Sequence, residues 1–404
     1  MKKIFLTVAI IATIFLTGCG SLSDKDIREK FINEVESLKT YVVEGTLTIT
    51  NNDDSYDYDV TATYQKEDNY KVSLINKANN YEQIILKNQD GVYVITPSLN
   101  KSFKFQSDWP NNNSQSYLLD SVATDLKNDE EYTFTQKDNN YIFTTKTNYP
   151  NNPNYVKQNI ILDKDLNLKK VEVQDEEGIT YVEFNVTNID KKATLDTKTF
   201  DLDEITKNFE SETDENTNEE PNSNNDENSN SESELNTEEE STEAPENNST
   251  SSENSEEETN QSTTSETAKI DENVFPLYLP SNTSLSDKEV IATTSGERVI
   301  MTFSGENPFI LVQETVSPSQ NLEIIPTYGE PFMLIDTVGS LTDTSYTWTS
   351  NGVEYYIVSD QMDKTELLEV AKSINVVSAI NEKWWQKYFC FFFLKKLEKE
   401  IILY

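Results

Sequence analysis

Histidine is absent from all 404 residues, and cysteine occurs only twice, at Cys19 and Cys390. The first absence removes imidazole as a general base, a proton shuttle or a metal ligand, and leaves carboxylates as the only acid–base groups near neutrality. The second leaves no intramolecular disulfide once Cys19 carries another modification, so exported domains have to fold on apolar cores alone. Positive charge is scarce as well: 33 Lys and Arg stand against 72 Asp and Glu, a formal net charge of −39. A field of that sign repels a phosphate backbone, which excludes nucleic acid as a partner. The N-terminal apolar run, Ile4 to Leu16, falls short of the roughly 20 residues that span a bilayer.

What is present begins with that run. Lys2 and Lys3 precede it, and Leu16-Thr17-Gly18-Cys19 ends it. This is the order of a secretory signal with a lipobox. It predicts a signal peptide over 1–18, cleavage before Cys19, and a lipid-anchored start over 19–23. Acyl chains of the palmitate type contribute about 0.8 kcal/mol per buried methylene, so two or more on Cys19 hold a protein at a membrane. The expected place is the extracytoplasmic face of the cell membrane. Abundant Asn, Lys and Ile with little Arg point to an AT-rich, Gram-positive genome.

Between Ser211 and Thr267 there is no Lys, no Arg and no aromatic residue, only runs such as Glu238-Glu239-Glu240 among Asn, Ser and Thr. Such a composition cannot bury enough area to offset the entropy of ordering, which predicts a disordered acidic linker over 208–269. It separates a first folded region, 24–207, from a second, 270–380.

In the first region, Ser23 with Asp26 reads as a helix cap, and Ile27, Phe31, Val35 and Leu38 share one helical face. The period then becomes two. Tyr41, Val43, Gly45, Leu47 and Ile49 share a strand face, then Tyr58, Val60, Ala62 and Tyr64, then Tyr70, Val72 and Leu74. Gln89-Asp90-Gly91 reads as a hairpin turn between Ile84–Leu86 and Val92–Ile95. A second helix is expected over Ser116–Leu126, and further strands follow to Val186. The expected fold is α+β: a strongly curved antiparallel sheet, an open half-barrel, with covering helices. Two readings stand for its aromatic and aliphatic faces. They are plain core, or they line an apolar ligand cavity, for which Phe31, Val35, Tyr41, Val43, Leu47, Tyr58, Tyr64, Leu119, Val122, Phe134 and Phe143 are the candidates.

In the second region, Arg298–Phe303 and Phe309–Thr315 read as paired strands, and Asn351-Gly352 as a tight turn joining Ser345–Thr349 to Val353–Val358. Asp363 with Glu366 caps a last helix that buries Leu367, Val370, Ala371 and Ile374. This is a small α+β unit. Glu297, Glu306, Asp336 and Asp343 have no spacing that suggests an acid–base pair and read as surface carboxylates. The tail over 381–404 is atypical: Tyr388-Phe389-Cys390-Phe391-Phe392-Phe393-Leu394 precedes Lys395, Lys396 and Lys399. Interfacial membrane contact, core packing, and a frame that runs past the domain's end are its three readings.

The run Phe31-Ile32-Asn33-Glu34-Val35-Glu36-Ser37-Leu38, leading into Glu44-Gly45-Thr46-Leu47, resembles the opening of the LolA-like lipoprotein-carrier superfamily, as does Leu162-Asp163-Lys164-Asp165-Leu166-Asn167-Leu168. Trp348–Tyr356 with Glu366–Ile374 resembles a small domain of Firmicute sporulation and envelope lipoproteins. The order of the two also resembles periplasmic regulators of anti-sigma factors. The resemblance implies a non-enzymatic protein without cofactor, metal or catalytic residues. It implies binding of a lipid, an acylated peptide or a lipoprotein, in envelope sensing, sporulation or germination. The alternative is a scaffold for an envelope enzyme with no small-molecule ligand; an enzyme using a carboxylate pair is a third reading.

Overall fold

A computed structural model describes residues 23–51, 54–207, 270 and 274–374. The signal peptide, Cys19, the acidic linker, Cys390 and the aromatic tail lie outside the described residues. The first region starts with α1 (Asp24–Ser37) and continues through β1 (Thr40–Asn51), β2 (Asp54–Gln65), β3 (Asn69–Asn76), β4 (Glu82–Asn88), β5 (Gly91–Thr96) and β6 (Lys101–Phe105). After α2 (Leu119–Asn128) come β7 (Thr133–Lys137), β8 (Asn140–Lys146), β9 (Lys157–Leu162), β10 (Leu168–Gln174) and β11 (Thr180–Asp190). A short helix, α3, follows at 202–207. The second region holds β12 (Thr283–Thr293), β13 (Gly296–Gly305), β14 (Phe309–Thr315), β15 (Glu323–Thr327), β16 (Glu330–Met333), β17 (Val338–Leu341), β18 (Ser345–Ser350) and β19 (Val353–Val358). Helix α4 follows at 364–374.

Local chemistry accounts for the helices. The Ser23 hydroxyl accepts from the Asp26 amide at 3.2 Å, and the Asp26 carboxylate accepts from the Ser23 amide at 3.1 Å, a closed capping box. These bonds with Ser23 hold the Asp26 carboxyl below its ordinary range. The face that α1 buries is Ile27, Phe31, Ile32 and Val35, each contributing about 1.5–3 kcal/mol on burial. Arg28 then fixes α1 to α2: its guanidinium donates to the carbonyls of Leu126 at 2.9 Å and Lys127 at 2.8 Å, the open end of α2. Helix α2 begins three residues later than its apolar spacing suggests, because residues 115–118 form a turn closed by the Leu118 amide on the Gln115 carbonyl at 3.1 Å.

The period-two pattern of the first strand is met residue for residue: Tyr41, Val43, Gly45, Leu47 and Ile49 all face inward. The half-barrel expectation needs correction. The first sheet is a twelve-stranded open line, β15-β6-β5-β4-β3-β2-β1-β11-β10-β9-β8-β7, neither closed nor strongly curved, and among the described residues its two end strands have a neighbour on one side. It is also not purely antiparallel, since β15, contributed by the second region, pairs parallel with β6. Alternation states which side chains share a face but says nothing of curvature, which bulges and stagger set. Strands β4 and β5 are buried on both faces. One face joins the main core; on the other, Ile84, Leu86, Tyr93 and Ile95 pack under Phe200 and Ile205 from the α3 segment. Their unbroken apolar runs are the sequence form of that double cover.

The second sheet has seven strands, β12-β13-β14-β19-β18-β17-β16, with α4 packed on its inner face. Asn351 (φ 49°) and Gly352 (φ 75°) make the expected tight turn. Strands β12, β15, β16 and β17 carry no clear sequence signal: β12 is exposed on both faces, and β15 contains Pro326, tolerated because the strand is an edge.

The two regions are bonded into one another. The buried Gln83 side chain accepts from the Val338 amide at 2.6 Å and from the Thr337 hydroxyl at 3.1 Å, and donates to the Val338 carbonyl at 3.1 Å. Its amide thus stands where a neighbouring strand's peptide group would. The Tyr58 hydroxyl donates to the Ile335 carbonyl at 2.7 Å. Val338 belongs to the first region's core, while Tyr56 packs against the second region's core.

Candidate functional site

Where the regions meet lies a cavity of about 220 Å³. Its floor is the inner face of the first sheet, Leu47 and Ile49 of β1 with Val182 of β11, which stands opposite Ile49 in register. Its side walls are two loops, 113–117 before α2 and 149–155 before β9. Residues 331–335 and Val338 of the second region form the roof, and Glu369 and Lys372 of α4 the rim.

The loops are held rather than merely adjacent. The Ser114 amide donates to the Asn148 carbonyl at 2.8 Å, and the Asn148 amide to the Ser114 hydroxyl at 2.9 Å. Tyr149 and Tyr155 meet edge to face at 5.3 Å, and Tyr155 lies 5.6 Å from Tyr181. The Tyr117 hydroxyl donates to Gln115 at 2.6 Å. Burial pushes the phenols of Tyr117, Tyr149 and Tyr155 upward, so they stay neutral hydrogen-bonding groups at any physiological pH. At the rim, the Lys372 ammonium donates to Glu369 at 2.8 Å and to Asn152 at 3.2 Å, tying α4 to the loop of the first region. Glu369 and Lys372 are the charged residues of the lining, and they neutralise each other. The cavity therefore presents a neutral wall of phenols, amides and aliphatic groups. It suits an uncharged segment, with aromatic surface and backbone-like hydrogen bonding, and offers nothing to a phosphate headgroup.

Buried carboxylates elsewhere are committed to structure. Asp120 accepts from Tyr41 at 2.5 Å and Tyr70 at 2.8 Å beneath the stacked Tyr41–Tyr64 rings. Asp125 accepts from Gln158 at 2.7 Å. Burial raises the carboxyls of Asp120 and Asp125. Asp336 is not the plain surface carboxylate that the sequence suggests. Burial raises it too, and Ser350 donates to it at 2.7 Å. Asp343 and Glu306 are exposed, the former paired with Lys364 at 2.8 Å, and Glu297 accepts from the Ile270 amide at 2.6 Å. Among the described residues no cluster of His, Cys, Asp and Glu could hold a metal ion. Asp120, Asp125, Glu297 and Asp336 are thus held by phenol, amide and hydroxyl donors within the fold.

Of the residues put forward from the sequence as cavity lining, Leu47 lines this cavity. Phe31, Val35, Tyr41, Val43, Tyr58, Leu119, Val122 and Phe143 are buried in the main core, with Tyr64 and Phe134 half-buried against it. The loop tyrosines, the 331–335 segment and Lys372 have no strand or helix periodicity that would single them out. The one available signal is a pair of tyrosines flanking Asn151-Asn152-Pro153-Asn154, aromatic residues in a loop composition.

A family model described as sporulation protein YdcC-like matches residues 1–200. Sporulation protein YdcC of Bacillus subtilis (strain 168) is 32% identical over 381 residues, covering 93% of this chain and 98% of that protein. The resemblance to sporulation and envelope lipoproteins read in the sequence is borne out by these matches. Among solved structures, the MucA/MucB complex of Pseudomonas aeruginosa aligns at 11% identity over 86% of this chain and 97% of that one, with a TM-score of 0.29. A LolA superfamily protein of Nitrosomonas europaea aligns at 13% identity over 46% of this chain and 100% of that one, with a TM-score of 0.28. At these scores the two likenesses carry no weight. None of the helices among the described residues is long and apolar enough to cross a membrane.

Proposed function

The chain belongs to the YdcC-like sporulation protein family, and from that membership we propose that it is a docking protein of the sporulating cell envelope. It is tethered by lipid at Cys19 on the extracytoplasmic face and holds an uncharged segment of an envelope protein in the cleft between its two regions. The observation that carries this reading is the cleft's construction from both regions. The loops 113–117 and 149–155 face the 331–335 segment and α4 across it, and the charges of Glu369 and Lys372 at its rim cancel. A volume near 220 Å³ is below the roughly 300–1,000 Å³ of small-molecule pockets. It fits one or two side chains better than a diacyl lipid. The residues that would line a larger cavity inside the first region instead pack on one another.

The test is a photo-crosslinking side chain in place of Tyr155 in the full, membrane-anchored chain, with Lys137, exposed at the end of β7 and at the opposite end of β8 from the Lys146–Lys157 pair, as the control position. One envelope protein captured from Tyr155 and not from Lys137 supports docking. A lipid-mass adduct at Tyr155 would replace docking by lipid carriage, and identical products at both positions would remove the cleft from the account. The anchor is tested separately: Cys19→Ala should move the protein from the membrane to the soluble fraction.

A further inference from the structure

The outer face of the second sheet, opposite α4, is only partly covered. Cross-strand register sets three rows on β13, β14 and β19: Arg298–Glu314–Glu354, Ile300–Val312–Tyr356 and Thr302–Ile310–Val358. The first two rows form a shallow groove of about 250 Å³. Toward β18 the same face passes beneath β15 and the first region, and Glu354 reaches both the groove and that covered space. An antiparallel face left to water is normally polar. Here Ile310 is 40% and Tyr356 38% exposed among further aliphatic side chains, the mark of a face that receives a partner.

We propose that this face is the contact surface of a homodimer, in which a second copy lays its own β13–β14–β19 face on it about a two-fold axis running along β14. The face is self-complementary. A dyad along β14 exchanges β13 and β19, which flank it one on either side. Adjacent strands are about 4.8 Å apart, so Arg298 of each copy falls over Glu354 of the other. Ile300 likewise meets Tyr356, Thr302 meets Val358, and Val312 and Ile310 meet their own counterparts. Within one copy, Arg298 bonds Glu314 at 2.6 and 2.8 Å through two of its nitrogens, and the guanidinium retains further N–H donors for a second carboxylate. The row thus holds two carboxylates for one guanidinium, and Glu354 is in no ion pair among the described residues. Each Glu314, which approaches its counterpart at the axis, is already neutralised by its own Arg298. The same dyad brings β12 of one copy beside the β15 strap of the other. Ile291, 42% exposed on β12, and Tyr328, 86% exposed after β15, then face each other. Stable dimers bury about 800 Å² per partner, and nine core residues with this fringe provide less, which places the Kd in the micromolar range.

The experiment is sedimentation velocity on the mature chain carrying Cys19→Ser, under reducing conditions, up to about 100 μM, well above the expected Kd. A reversible dimer is expected. Glu354→Arg and Arg298→Glu should each weaken it at least tenfold by setting like charges across the axis, and the double exchange Arg298→Glu/Glu354→Arg should restore it. Ile310→Lys, which sets two ammonium groups at the axis, should abolish it and gives a second route if an exchanged variant fails to fold. A monomer throughout the concentration range would overturn the proposal. So would a dimer indifferent to all of these substitutions, or one lost on truncation after Ile374 but not on charge exchange, since the contact would then lie elsewhere.

Discussion

The two sheets treat their second face differently. In the first, β1 sends Tyr41, Val43, Leu47 and Ile49 inward and mostly threonine and glutamate outward. Where both faces of that sheet are apolar, at β4 and β5, the chain itself returns through Phe200 and Ile205 to cover the second one. In the second sheet, β13 and β14 alternate between one apolar set and another. Val299, Met301, Phe303 and Leu311 are sealed beneath α4, while Ile300, Ile310 and Val312 lie on the far side. The first region and its strap cover only the β17–β18 part of that side. Apolar–polar alternation marks a finished surface; apolar–apolar alternation marks one that still needs a cover.

Substitutions can break or sharpen this contrast. The largest effect is expected at Gly45, where the register of β1 on β11 shifts. A Cβ there would meet the Asn185 carbonyl oxygen and stand 2.7 Å from the Phe184 ring. Gly45→Ala should cost about 3 kcal/mol or more in denaturant unfolding; a change under about 1 kcal/mol would mean that the β1–β11 pair is looser than described. Next comes the junction itself. Gln83→Ala leaves the Val338 amide and carbonyl without their Gln83 partner in a buried setting, while the Thr337 hydroxyl keeps the Thr349 carbonyl; the loss is about 2–4 kcal/mol and should separate the unfolding of the two regions.

The third effect is a pH dependence. Burial raises the carboxyls of Asp120, Asp125, Asp336 and Glu354. A raised carboxyl binds its proton more tightly in the folded state. Its stabilisation is complete below the unfolded value, 3.8 for Asp, and is lost as pH rises through the folded one. Exposed carboxylates held low, such as Glu204 and Asp343, act in the opposite sense but are screened. The protein should therefore be more stable near pH 5 than at pH 7, by thermal melting, and Asp120→Asn should flatten that slope. A smaller loss, about 1 kcal/mol, is expected from Ser23→Ala at the α1 cap. The smallest is Ile310→Thr on the open face, within about 0.5 kcal/mol, because Ile310 is 40% exposed and threonine keeps its β-branched form in the strand.

The contrast also explains what could be read in advance. Period-two patterns located β1 to β3, the hairpin at Asp90-Gly91 and the β18–β19 turn, because a half-buried strand writes its burial into alternate residues. They could not reveal the parallel pairing of β15 with β6. That strand is short, contains Pro326 and is mostly exposed, and its partner lies over two hundred residues away. The cleft was illegible for a related reason. Tyr149, Tyr155 and Lys372 acquire a shared wall only when loops from one region meet a helix from the other, and no local period encodes that meeting.

Bonded through Gln83 and Tyr58, the two regions form one body with the cleft held between them. Trp109 and Trp348, 1% and 2% exposed, report on the first and second region. In the full chain with Trp384→Phe and Trp385→Phe, removing one or the other tryptophan by a further Phe substitution lets equilibrium unfolding be followed at each site alone. Superimposed transitions, separating only when Gln83→Ala is added, are the predicted result. Two distinct transitions in the chain with Gln83 intact would contradict it.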